Sequence, residues 1–199
     1  MQFKIKNIKV TISFSFFALI LFLIIFNRTD YLYISIVSAT LHEVGHLIML
    51  KKFGVEILEV NMSLFGGNIK RKSFEKINYL KEIIISFAGP FTNIIISILF
   101  YLANLILKTP LLDNIIIVNL ILAIFNLLPF YNFDGGKIIE FLITNFFDET
   151  VANKVTFIIS IVILIPFAYF SFIIFINNHN DFYYLIVTLL MLLTIILKK

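Results

Sequence analysis

Long apolar runs, broken by short charged stretches, set the plan of this chain. Six runs come close to the roughly 17–25 residues that a helix needs to cross a bilayer. They are Val10 to Phe26, Tyr31 to Leu50, Leu80 to Leu107, Leu112 to Pro129, Val155 to Ile176 and Phe182 to Leu197. The runs are continuous rather than alternating in short pieces, which predicts helices and not a membrane barrel. Gly89-Pro90 interrupts the third run.

Between the second and third runs the pattern changes. Val55 to Phe65 alternates in part and carries β-branched residues, then meets Gly66-Gly67 and Asn68-Ile69-Lys70. Two short extended runs around a Gly pair predict a hairpin or edge strands, against the plainer reading of an irregular loop. Gly135 to Lys154 mixes charge with Ile, Phe and Leu. It predicts a helix that continues from the fourth run or lies at the membrane interface. The expected fold is therefore an all-α polytopic membrane protein, a single integral membrane domain over residues 1–199. It has six transmembrane helices and a short β-hairpin or edge-strand segment between helices 2 and 3.

Composition agrees. Of the 199 residues 60% are hydrophobic, against about 45–50% in soluble domains, and the mean hydropathy is +1.02. The 24 Phe read as lipid-facing bulk. There is no Cys, which excludes disulfides and thiolate metal sites and leaves His and carboxylates as metal ligands. Lys4, Lys6 and Lys9 ahead of an apolar run resemble a secretory signal. The run is too long for one, and Asn27-Arg28-Thr29-Asp30 offers no small-residue cleavage site, so a retained first helix is expected.

The net charge of +4 does not point to nucleic acid; it locates the loops. With the N-terminus in the cytoplasm, inside segments hold Lys4, Lys6, Lys9, Lys51, Lys52, Lys70, Arg71, Lys72, Lys76, Lys81, Lys137, Lys154, Lys198 and Lys199. Outside loops hold only Arg28 and Lys108. The bias agrees at every loop, which predicts that both termini are cytoplasmic.

The chemistry sits in the second run, at His42-Glu43-Val44-Gly45-His46. Residues four apart share a helix face, so both imidazoles can reach one metal ion. Two His at this spacing, with a Glu beside the first, are the pattern of a zinc metalloprotease. A charged group at the centre of a membrane helix costs roughly 2.5–3.5 kcal/mol on insertion scales. Such a cluster therefore belongs in a protein interior or a water-filled cavity, and the alternative is two His satisfied by neighbouring backbone. His46 and His42 precede Lys51 by five and nine residues, about 7 and 13 Å below the cytoplasmic surface at 1.5 Å per residue.

A catalytic zinc takes three protein ligands and keeps a position for water. His179 falls on the opposite side of the membrane by the charge count. Asp134 follows the fourth run, which also travels from outside to inside, and should end at a similar depth. Pro129 breaks that helix, and Gly135-Gly136 permit close backbone approach. The competing reading of Asp134 is a helix cap.

With these residues in hand the chain resembles the site-2 protease family of intramembrane zinc metalloproteases. The resemblance is carried by His42-Glu43-Val44-Gly45-His46, by Asn126-x-x-Pro129-x-x-x-x-Asp134-Gly135, and by Ala88-Gly89-Pro90 with Asn93. It covers roughly residues 1–150 and is nearest the stage IV sporulation protein FB group, whose members have six helices and no PDZ insertion. Many of those members carry a C-terminal CBS domain, which is not expected here. The family often has Pro-Leu where this chain has Asn132-Phe133.

The resemblance implies one zinc ion per chain, held by His42, His46 and Asp134, with Glu43 as general base. Asn126 could bind substrate or make an interhelical hydrogen bond. Asn93 is assigned to packing and Gly89-Pro90 to a helix bend. Gly66 and Gly67 belong to an edge that could hold an extended substrate. The implied function is hydrolysis of a membrane-tethered protein at the cytoplasmic side of a bacterial cell membrane, for example a sigma factor precursor in sporulation. Membrane inhibitor or regulatory proteins are implied as partners. Another site-2 protease pathway, such as clearance of an anti-sigma factor or a signal-peptide remnant, competes with it. A non-catalytic membrane scaffold or transporter is the reading from a different class.

Overall fold

Six helices and four strands account for most of residues 2–5, 8–12, 30–63, 66–71, 78–177 and 183–196, the part of the chain that the computed structural model describes. In order they are β1 (Gln2–Ile5), β2 (Ile8–Ile12), α1 (Asp30–Lys52), β3 (Ile57–Ser63), β4 (Gly66–Arg71), α2 (Tyr79–Leu107), α3 (Pro110–Leu127), α4 (Asp134–Thr144), α5 (Glu149–Asn177) and α6 (Tyr183–Ile196). They fall into two compact units, Met1–Leu127 and Leu128–Lys199.

The first unit is built on α1. The helix begins at Asp30 and ends in Lys51 and Lys52, charges that match its dipole at both ends. Gly54, at φ 76°, takes the left-handed turn that stops it. Val55 N donates to Leu50 O and Gly54 N to Lys51 O, both at 3.0 Å, the pair of bonds that defines a Schellman cap. Val55 then packs with Leu50 and Ile85 in a small core that also takes in Phe53, Ile57 and Ile69. One local motif thus turns the chain from α1 into β3 and holds both against α2.

The hairpin expected between helices 2 and 3 is present as β3 and β4, with Gly66 and Gly67 opposite Ser63 and Met62. It is half of a larger sheet of order β1-β2-β3-β4, in which β2 runs parallel to β3. This corrects two expectations. The fold is not purely helical outside one hairpin, and the first predicted span does not start at Val10, because Val10–Ile12 end β2. Ile8, Val10 and Ile12 alternate with Lys9 and Thr11, a period-two pattern suited to a strand. Residues 13–26 of that predicted span lie outside the described residues.

Helices α2 and α3 form an antiparallel hairpin. Lys108, at φ 48°, caps α2 by donating to Asn104 O. Asn104 also accepts from Thr109 N at 2.9 Å and donates to Asp113 at 2.6 Å. On its other side α2 lies close to α1 at Gly45, where an added Cβ would meet Thr92 and come within 2.7 Å of the Ala88 carbonyl. Small residues at such a crossing allow the backbones of membrane helices to approach.

The second unit holds α4, α5 and α6. Residues 135–154 are divided between two helices, α4 and the start of α5, rather than extending the fourth run. Ser171 and Thr188 hydroxyls, 2.7 Å apart, join α5 to α6. Among the described residues four helices, α1, α2, α3 and α5, are long and apolar enough to cross a membrane, and α6 is a shorter apolar helix. Their outward faces carry large apolar side chains such as Leu99, Ile106, Ile165 and Phe170. Apolar faces of this extent on helices of this length mark a membrane protein.

Candidate metal centre

His42 and His46 are both buried on the face of α1 that meets α2. Their Nε2 atoms lie 3.2 Å apart, with the rings edge to face. Beneath them is Gly89 of α2, where an added Cβ would strike His46 Nε2 and come within 2.5 Å of His42 Nε2. Glycine at 89 leaves the space into which the two ring nitrogens point.

The other nitrogen of each ring is engaged by α2. His46 Nδ1 lies 2.7 Å from the Ile85 carbonyl. A carbonyl oxygen can only accept, so His46 carries its proton on Nδ1 and turns the Nε2 lone pair toward His42. His42 Nδ1 lies 2.8 Å from Asn93 Oδ1. A cation between the two Nε2 atoms relieves lone-pair repulsion at this distance. Two zinc–nitrogen bonds of roughly 2.0–2.1 Å at the tetrahedral angle put the nitrogens about 3.3 Å apart, close to the 3.2 Å here. The His pair fits a zinc ion.

Glu43 is half-buried on α1 beside His42. Asn126 is the penultimate residue of α3 and donates to Leu122 O of its own helix at 2.9 Å. Gly66 and Gly67 open β4. His179 lies outside the described residues.

Asp134, in the second unit, is the first residue of α4 and is buried. The N-cap position belongs to Phe133, so Asp134 is not the cap. The helix dipole favours its carboxylate, as does Lys137 Nζ at 3.3 Å. The approach to Asp134 is tightly shaped. Phe133 N donates to Phe130 O at 3.0 Å, and Asn132 sits at φ 68°. Asn enters this left-handed region readily, whereas proline is held near −65°. Proline at 132 could not take this angle. Tyr131 N donates to Ser160 Oγ of α5 at 2.8 Å. An added Cβ at Gly136 would collide with the Phe130 carbonyl, so glycine there lets the turn sit on α4. By chemical type and burial, Asp134 is a candidate metal ligand, as His42 and His46 are.

Sequence reasoning missed two parts of this centre. Gly89 was assigned to a bend and Asn93 to packing, yet both face the His pair. The available signal was spacing: Gly89 and Asn93 are four apart, as His42 and His46 are, so each pair shares a helix face.

Comparison with known proteins follows the same residues. The profile of peptidase family M50 matches residues 31–115 and 108–170. A zinc metalloprotease of Methanocaldococcus jannaschii is 30% identical over 165 residues, 77% of this chain. This chain spans about half of that relative's length, 48%. Among solved structures, a site-2 protease from Methanocaldococcus jannaschii superposes with a TM-score of 0.73 at 25% identity, over 98% of this chain and 93% of that one.

Proposed function

From the premise that the chain belongs to peptidase family M50, we propose that it is an intramembrane zinc metalloprotease. The observation that carries the reading is the convergence of His42 Nε2 and His46 Nε2 at 3.2 Å over Gly89. His42 and His46 hold one zinc ion, and Asp134 supplies the third ligand. A buried carboxylate that does not cap its helix is suited to that role.

When bound, zinc supplies a Lewis acid that polarises a peptide carbonyl and acidifies water. Glu43 takes a proton from the attacking water as the new C–O bond forms. It delivers that proton to the leaving nitrogen as the C–N bond breaks. Asn126, near the end of α3, is assigned to hold the substrate backbone.

The substrate is a membrane-tethered protein. The charge bias of the loops supports six spans with both termini in the cytoplasm, and cleavage on that side of a bacterial cell membrane. A helix hides its amides, so the cut segment must be extended. In the sheet order β4 is a terminal strand, and Gly66 and Gly67 leave it free of side chains at its start. A substrate strand added to β4 presents the peptide in that form. Processing of a sigma factor precursor under the control of membrane inhibitor proteins rests on the residue resemblance to the sporulation group alone.

The test is reconstitution into liposomes with a fluorescent transmembrane substrate. Cleavage should stop on zinc depletion and return on zinc addition. Cleavage indifferent to zinc would end the reading.

A further inference from the structure

A buried chain of amides leads from the backbone of α3 to His42. Asn93 and Asn119 are 0% and 1% exposed. Asn119 Nδ2 donates to Ile115 O at 2.8 Å. Because a backbone carbonyl only accepts, this bond fixes which end of the Asn119 amide is nitrogen. Its oxygen must then face Asn93, where Nδ2 donates to it at 3.0 Å. The Ser38 carbonyl takes a second, longer bond from the same Nδ2, at 3.4 Å. Both acceptors turn the Asn93 amide the same way and leave Oδ1 toward His42 Nδ1 at 2.8 Å. An acceptor at that position requires a proton on Nδ1 and, in the neutral ring, puts the lone pair on Nε2.

We infer that Asn93 is a positioning residue for His42, and that Asn119 sets its orientation. The inference rests on His42 being a zinc ligand. The mechanism is a choice between two amide orientations. Flipped, the Asn93 amide would offer N–H to His42 and favour the tautomer protonated on Nε2, the nitrogen that must face the metal. It would also set its oxygen against the Ser38 and Asn119 oxygens. His46 needs no such device, because the Ile85 carbonyl has only one way to present itself. Three helices are thereby tied to one ring nitrogen, and α3 acts on the metal centre without contributing a ligand.

The test separates orientation from packing. Zinc affinity is measured by chelator competition on the purified full chain in detergent, with thermal unfolding followed alongside. Asn93→Leu should weaken zinc by about 10–100-fold, the usual loss for a partner of a metal-ligating His. Asn119→Leu should weaken it by several fold, since Ser38 still restrains the amide. Asn93→Asp keeps an acceptor toward His42 in either orientation and should bind zinc better than Asn93→Leu, though its second oxygen then faces the Ser38 and Asn119 oxygens. Adding Asn119→Leu to Asn93→Asp should then cost nothing more. An equal loss from Asn119→Leu in both proteins would mean that Asn119 acts only by packing, and would overturn the relay.

A second measurement needs no variant at these positions. Nitrogen-15 spectra of the histidine-labelled, zinc-free protein should show His42 protonated on Nδ1. An unprotonated Nδ1 would overturn the orientation outright. Neither result depends on peptide cleavage, so failure here is distinct from failure of the protease reading.

Discussion

His46 Nδ1 donates to the carbonyl of Ile85 at 2.7 Å, and the Ile85 side chain belongs to the core that joins α1, α2 and the sheet. A single residue of α2 thus orients a metal-binding imidazole with its backbone and seats the sheet with its side chain. The polar centre and the apolar packing below it are therefore not separable, and substitutions in α2 should report on both.

Gly89→Ala is the sharpest case. Alanine is about 1 kcal/mol better than glycine in a helix interior, so helicity should not fall. The added methyl would occupy the space of both Nε2 atoms. We expect zinc affinity to drop by about tenfold or more, with an unchanged far-ultraviolet circular dichroism spectrum. Metal analysis after dialysis checks it.

Gly45→Val tests the crossing of α1 and α2. Its side chain would meet Thr92 and the Ala88 carbonyl, and backbone cannot move aside cheaply. The expected loss of stability is about 1–3 kcal/mol, read as a lower midpoint of thermal unfolding in detergent. Gly54→Ala, where space is open but φ is 76°, should lose less, through strain at the Schellman cap alone.

Asn132→Pro and Asn132→Gly should separate. Proline cannot adopt φ 68°, so the turn entering Asp134 would be rebuilt at a cost of more than about 1 kcal/mol. Glycine accepts the angle freely. Zinc affinity should fall in the first variant and hold in the second.

The sheet should loosen in acid. Glu59 accepts from Thr11 Oγ1 at 2.8 Å and pairs with Lys70 at 3.1 Å. The Thr11 bond, followed by Lys70, holds its carboxyl below the ordinary value of 4.5. A depressed carboxylate contributes stability above that value and loses it as pH falls through the folded pKa. Protection of the β3 amides, measured against the intrinsic exchange rate at each pH, should therefore be high at neutral pH and fall below about 4.5, less so in Glu59→Gln.

Much of this was legible in sequence because it is local or chemical. The five residues from His42 to His46 declare themselves by spacing and by their cost in an apolar helix. The Gly pair at 66 and 67 marks the β3–β4 hairpin. The pairing of β2 with β3 carries no local sign, because it joins Lys9 to Glu59 across fifty residues. Val10 to Ile12 were instead absorbed into the apolar run that follows. Asn93 stayed hidden for another reason. A lone amide in a membrane helix has many uses, and its partners His42 and Asn119 lie on two other helices.

The central claim is hydrolysis at a zinc ion with Glu43 as the base. It is tested most directly by co-expressing the chain with membrane-tethered precursors, wild type against Glu43→Gln, and measuring zinc in the purified proteins. The account predicts one zinc per chain in both and cleavage only by wild type. Cleavage that persists in Glu43→Gln, or wild type that cleaves without zinc, would contradict it.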